Sequence, residues 1–102
     1  MAAFNEISPA QLMRLIGTPQ CPVIVDVSID EDFDADPRLI PTAFRHSHTD
    51  LDGMLARLAD RDTIVVCHQG VKLSHGAAAH LRAKGLNAQV LTGGNTAWNA
   101  AN

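Results

Sequence analysis

Ile64-Val65-Val66-Cys67-His68-Gln69-Gly70 is the stretch on which the fold turns. A short β-branched apolar run ends on a cysteine, a small loop follows, and a helical pattern is expected from Ser74. An apolar run of this length, bounded by a turn, reads as a buried strand. Strand, loop and helix in that order bring backbone N–H groups and a helix N-terminus toward one sulfur. Such surroundings favour the thiolate, the nucleophilic form of cysteine. The plainer reading is a strand-end cysteine behaving as a small hydrophobe.

The segments on either side repeat the alternation of strand and helix. Ser8-Pro9-Ala10-Gln11 is a helix start: serine caps, proline suits the first helical position, and glutamine completes a capping box. Leu12, Leu15 and Ile16 supply its apolar stripe and Gly17-Thr18-Pro19 stops it. Phe4 to Ile7 is expected as a short edge strand, and Val23 to Val27 as a strand buried on both faces. The acidic segment from Ser28 to Pro37 reads as a solvated loop or short helical turn, without the spaced ligands and glycine of a calcium loop. Leu39 to Phe44 reads as a turn into a short strand. Thr49 or Asp50 is expected to cap a helix carrying Leu51, Met54, Leu55 and Leu58. Ala77, Ala78 and Leu81 then face inward until Lys84-Gly85 closes their helix. Val90 and Leu91 form a last strand before Thr92-Gly93-Gly94 and a helical turn around Trp98. The chain is thus α/β, with a central, mostly parallel sheet. In such sheets sites form at the carboxyl ends of strands, where Asp26, Cys67 and Gly93-Gly94 converge.

The bulk properties narrow the function. At 102 residues and 46% hydrophobic composition, one core forms without disulfide support. A net charge of -3, with its Lys and Arg scattered, speaks against nucleic acid as a partner. No apolar run approaches the roughly 20 residues of a membrane helix, and the N-terminus lacks a signal-peptide pattern, so a cytoplasmic location is expected. Two cysteines, Cys21 and Cys67, make neither a disulfide framework nor a zinc site.

Three motifs around this cysteine resemble those of the rhodanese-like sulfurtransferase family across nearly the whole chain. Val25-Asp26-Val27 resembles its strand-end Asp-Val-Arg, and Ile40-Pro41-Thr42-Ala43 its Ile-Pro-Gly-Ala. Leu91-Thr92-Gly93-Gly94-Asn95-Thr96-Ala97-Trp98 matches the closing Leu-x-Gly-Gly-x-x-x-Trp. The resemblance implies one rhodanese-like domain over residues 1–102, with helices on both faces of the sheet and no cofactor. It implies that Cys67 carries a sulfane sulfur as a persulfide, taken from thiosulfate or a persulfide donor and passed to a thiol or protein cysteine. His68, Gln69, Gly70, Val71, Lys72, Leu73 and Ser74 would form the active-site loop. The backbone of Gln69 to Leu73 would hold the sulfur anion, and Asp26 would shape the loop by accepting hydrogen bonds. Ser74 is expected chiefly as a helix cap, and Trp98 as core packing.

Two departures bear on the donor. Lys72 stands where many active rhodaneses carry arginine, and Ser28 replaces the arginine of Asp-Val-Arg. Lysine keeps the charge and loses the planar fork that grips an oxyanion in two places. The spacing Cys-x-x-Gly-x-x-x-Ser-x-Gly is also similar to rhodanese-like proteins associated with chromate resistance. A cysteine-dependent phosphatase or arsenate reductase needs a loop arginine, and none lies between Cys67 and Gly76. The alternative is a catalytically weak rhodanese-like binding or regulatory module. Among the five histidines, His68 reads as a rim residue and His75 as a second imidazole of the active-site segment. His46 and His48 would share a face if their segment is a strand, as a solvated pair rather than a metal site. Cys21 reads as an incidental loop-end residue.

Overall fold

Each β-branched run becomes a strand, and all of them pair in parallel. The computed structural model describes residues 5–102. The strands are β1 (Glu6–Ile7), β2 (Val23–Asp26), β3 (Phe44–Arg45), β4 (Thr63–Val66) and β5 (Ala88–Leu91), in the order β1-β5-β4-β2-β3. Phe4 of the expected edge strand lies outside the described residues. The register pairs Asp26 with Val66 and Val65 with Val90, so the strands around β4 end side by side.

Alternation along the strands sends side chains to two cores. Val25, Val27, Val65, Cys67 and Val90 fall on one face, against Met54, Leu58, Ala77, Ala78 and Leu81. Ile24, Ile64, Val66 and Leu91 fall on the other, against Leu12 and Trp98. Helices α1 (Pro9–Leu15) and α5 (Gly94–Ala101) therefore cover one face, and α3 (Leu55–Leu58) and α4 (Lys72–Ala83) the other. Burial of side chains such as Leu12, Leu58 and Leu81 contributes about 1.5–3 kcal/mol each. Among the described residues, no helix is long and apolar enough to cross a membrane.

Local chemistry explains the boundaries. The capping box at α1 is complete: Gln11 N–H donates to Ser8 Oγ at 3.1 Å, and Ser8 N–H to Gln11 Oε1 at 2.9 Å. At the end of α4, Leu86 N–H donates to the Leu81 carbonyl and Gly85 N–H to that of Arg82, with Gly85 at φ +88. This is a Schellman closure. The acidic segment forms a six-residue helix, α2 (Asp30–Ala35), whose first turn carries Asp30, Glu31 and Asp32 toward the positive end of the helix dipole. Arg45 ties α2 to β3 by bonding Ser28 O and Asp30 and stacking over Phe33 at 4.2 Å.

The expected third helix differs. It opens as a 3₁₀ turn, Leu51–Met54, before α3, with no side-chain cap at Asp50. The Asp50 carboxylate instead lies 3.1 Å from His46 Nε2, and the Thr49 hydroxyl pairs with Ser47. Thr42 sits at φ +72, where the resembling motif has glycine. A β-branched residue is strained there.

Candidate active site

Cys67 is the first residue beyond β4, on the α4 side of the sheet and only 5% exposed. Gly70, at φ +69, turns the chain back so that its N–H donates to Cys67 Sγ at 3.2 Å. The thiol donates to Ser74 Oγ at 3.1 Å; with the sulfur deprotonated, the hydroxyl becomes the donor. Ser74 is therefore no cap. Helix α4 starts two residues earlier than expected, at Lys72, with Val71 at its N-cap and no side-chain cap bond. Helical side chains lean toward their N-terminus, which turns the fully buried Ser74 onto the sulfur.

The first backbone bond of α4 runs from His75 N–H to Val71 O. The N–H groups of Lys72, Leu73 and Ser74 are the orphans of a helix N-terminus. None meets a protein acceptor among the described residues. They stand at the positive end of a twelve-residue helix whose third residue, Ser74, reaches the sulfur with its hydroxyl.

The loop's carbonyls are drawn the other way, by α5. Asn95 N–H donates to Cys67 O at 2.9 Å, and both the N–H and hydroxyl of Thr96 donate to His68 O at 3.0 Å. Gly93 and Gly94 lie at φ +74 and +59, which folds β5 sharply into α5. A Cβ on Gly94 would strike Cys67 O, and one on Gly70 would come within 2.6 Å of Leu91 O and 2.7 Å of Gly94 N. The Gly-Gly turn and the loop thus share a space that excludes side chains.

Asp26, 1% exposed, ends β2 beside this junction. Its Oδ1 accepts from Ser28 N–H at 2.8 Å and its Oδ2 from Asn95 Nδ2 at 3.0 Å. No hydrogen bond among the described residues joins it to the sulfur. It acts on the loop through Asn95, whose backbone binds Cys67 O.

The other residues of the expected loop divide. Lys72 and Gln69 are exposed, Val71 is 55% exposed, and Leu73 packs partly into the core. No hydrogen bond joins the half-buried His68 ring to Cys67. A cavity of about 150 Å³ opens over the sulfur, lined by Cys67 to Gln69, Val71 to Leu73 and Asp32. A second, of about 450 Å³, shares Asp32 and His68 with it and extends to Asp36, Arg38, Asn95 and Asn99. There Arg38 grips Asp36 with two bonds of 2.7 Å and holds its carboxyl below the ordinary value.

The remaining histidines and Cys21 take other partners or positions. His75 turns from the sulfur to Glu6 on β1, with Nε2 3.1 Å from Oε1. β3 stops at Arg45, so His46 and His48 share no strand face. No group of three or more histidine, cysteine or acidic residues is placed to hold a metal among the described residues. Cys21 precedes β2 and bonds weakly to Pro22 O, at the opposite end of the sheet from Cys67. Asn95, Thr96 and Asp32 are the site residues that sequence reasoning passed over.

A parallel sheet that presents a buried cysteine in a strand-to-helix loop, bonded by the Gly70 amide and with its loop carbonyls clamped by a second helix N-terminus, defines an α/β domain with a strand-end cysteine site. The chain belongs to the rhodanese-like domain family, whose model matches residues 8–101. No curated protein matches it. Solved structures do. A rhodanese-like domain protein from Staphylococcus aureus is 26% identical with a TM-score of 0.80, over 93% of this chain and 91% of that one. A rhodanese homologue from Thermus thermophilus is 26% identical with a TM-score of 0.70, over 91% and 99%. A thiosulfate sulfurtransferase from Pseudomonas aeruginosa is 27% identical with a TM-score of 0.80, over 95% of this chain and 18% of that protein.

Proposed function

We propose that this protein is a sulfurtransferase that carries sulfane sulfur as a persulfide on Cys67. The observation behind the reading is the setting of Sγ at the start of α4: Gly70 N–H and the Ser74 hydroxyl bond to it, and the first N–H groups of that helix meet no protein acceptor among the described residues. Backbone donors that need no rearrangement stabilise a sulfur anion without a side-chain acid.

In loading, the Cys67 thiolate attacks the outer sulfur of the donor. A new S–S bond forms, the donor's S–S bond breaks, and sulfite leaves from thiosulfate or a thiolate from an organic persulfide. The persulfide anion extends into the cavity of about 150 Å³. In unloading, a thiolate acceptor attacks that terminal sulfur and Cys67 leaves as thiolate. Neither half changes the net redox state. Lys72, without an ion-pair partner among the described residues, attracts the anionic part of donor or acceptor. A small sulfur-containing anion as donor and a thiol or protein cysteine as acceptor fit the open mouth.

Intact mass tests the reading. Incubation with thiosulfate or a persulfide donor adds one sulfur, about 32 Da, removable by reductant. Cys67→Ser, which keeps Cys21, shows no gain while remaining folded. A folded wild-type protein whose Cys67 alkylates readily but never gains sulfur would instead be a binding module.

A further inference from the structure

The charges at the mouth of the Cys67 cavity leave two side chains unanswered, one of each sign. Helix α2 is acidic, but Asp30 is paired with Arg45 at 3.0 Å, Asp36 just past its end with Arg38 at 2.7 Å, and Glu31 and Asp34 do not line this cavity. Asp32 lines the cavity that holds Cys67, and no hydrogen bond or ion pair engages its carboxylate among the described residues. Lys72 lines the same cavity and is likewise unpaired there. It also opens α4, so a carboxylate beside it meets the positive end of that helix.

At about 150 Å³ the space equals roughly five waters, at about 30 Å³ each. Both charges therefore lie close to whatever sits over the sulfur. A sulfur oxyanion dianion gains from Lys72 and is repelled by Asp32. A zwitterion gains from both.

We propose that Asp32 and Lys72 select a free amino-acid thiol persulfide, its ammonium toward Asp32, its carboxylate toward Lys72 and its outer sulfur at Cys67 Sγ. The inference rests on the sulfur-carrier reading and names its preferred donor. Cys67 thiolate and the persulfide R–S–S–H give the Cys67 persulfide and R–S⁻, with no external oxidant or reductant. Each charge contact at this open wall is worth about tenfold in kcat/KM, or about 1.4 kcal/mol.

The test compares loading rates of the full chain, by quenched intact mass, for four donors: cysteine persulfide, N-acetylcysteine persulfide, cysteamine persulfide and thiosulfate. Ratios of variant to wild type for each donor cancel intrinsic donor reactivity. Asp32→Asn is expected to lower kcat/KM about tenfold for the two ammonium-bearing donors, leave the N-acetyl donor unchanged and raise thiosulfate. Lys72→Gln is expected to lower the three carboxylate- or oxyanion-bearing donors and leave cysteamine persulfide unchanged. Equal changes across all four donors, or none, would overturn the proposal while the sulfur-carrier reading stands. Failure of every donor to load folded wild-type protein would overturn both.

Discussion

Replacing Gly70 by alanine separates the two demands that the site makes on this residue. The first is conformational: φ +69 lies in the left-handed region, which costs a non-glycine residue about 1–2 kcal/mol. The second is steric, because a Cβ here would come within 2.6 Å of Leu91 O, 2.7 Å of Gly94 N and 2.8 Å of Gly93 N. All three are backbone atoms in a turn that cannot yield cheaply, and forced overpacking costs about 1–3 kcal/mol more. Gly17 and Gly85 supply the controls, since both have positive φ, +85 and +88, and a Cβ added at either would meet nothing within 4 Å. Gly17→Ala and Gly85→Ala should therefore lose only the conformational part. Urea titration should place Gly70→Ala about 1–3 kcal/mol below either control, an added Tm loss of about 4–24 °C at 4–8 °C per kcal/mol. Sulfur loading should fall as well, because the displaced amide no longer donates to Cys67 Sγ. If Gly70→Ala were no less stable than Gly85→Ala, the close approach of the loop to the β5–α5 turn would be refuted, and with it the account of how the loop is shaped.

Three further substitutions probe other links. Asp26→Asn leaves one acceptor oxygen and sets an NH₂ group against one of the two donors that the carboxylate now accepts from, and should cost about 1–3 kcal/mol by denaturant titration; a loss under about 0.5 kcal/mol would remove Asp26 from the support of the loop. Asp36→Asn should lower stability at neutral pH and converge with wild type in acid. The Arg38 hydrogen bonds depress the folded-state value, so the stabilisation is present above the unfolded value of about 3.9 and is lost as pH falls through the folded value. A difference that persisted undiminished at low pH would contradict the pairing. Thr42→Gly removes β-branched strain at φ +72 and should stabilise the protein by up to about 1 kcal/mol, the relief of about 1–2 kcal/mol outweighing glycine's entropy. Destabilisation would place Thr42 in a relaxed turn.

The parts of this structure that local chemistry dictates were open to sequence reading. The capping box at Ser8 and Gln11, the β-branched strands and the glycine at Gly85 depend on neighbours within a few residues. Cys67 was legible because alternation from Val65 sends it to the α4 side and the strand ends before it. Ser74 was misread because its role depends on α4 starting at Lys72, two residues before the helical pattern becomes visible. His75 belongs to the same segment in sequence, yet the helical period carries it to Glu6 on β1. Asn95 reaches Asp26 across 69 residues of chain, a contact that no local pattern encodes. The one available signal was its place directly after the Gly-Gly turn, where a helix N-terminus must deliver its amides somewhere.

That division also explains how the chain tolerates its departures from the family motifs. The Cys67 sulfur meets the N–H of Gly70 and the hydroxyl of Ser74 at the start of α4, and the loop carbonyls are pulled aside by the amides of Asn95 and Thr96. These depend on where the backbone goes, hence on the glycines and on the Asp26–Asn95 bond, and hardly on which side chains surround the mouth. Lysine in place of arginine at position 72, or serine at 28, therefore leaves the surroundings of Cys67 Sγ whole. Ser28 even joins the support of the loop, donating its N–H to Asp26 and offering its hydroxyl 3.5 Å from Asn95 Nδ2. What those positions alter is the charge and shape of the mouth, which on the proposed reading faces the sulfur donor. On the proposed sulfur-carrier reading, selectivity and sulfur binding are thus separable, and substitutions at Asp32 or Lys72 should change which donor is used before they change whether Cys67 can be loaded.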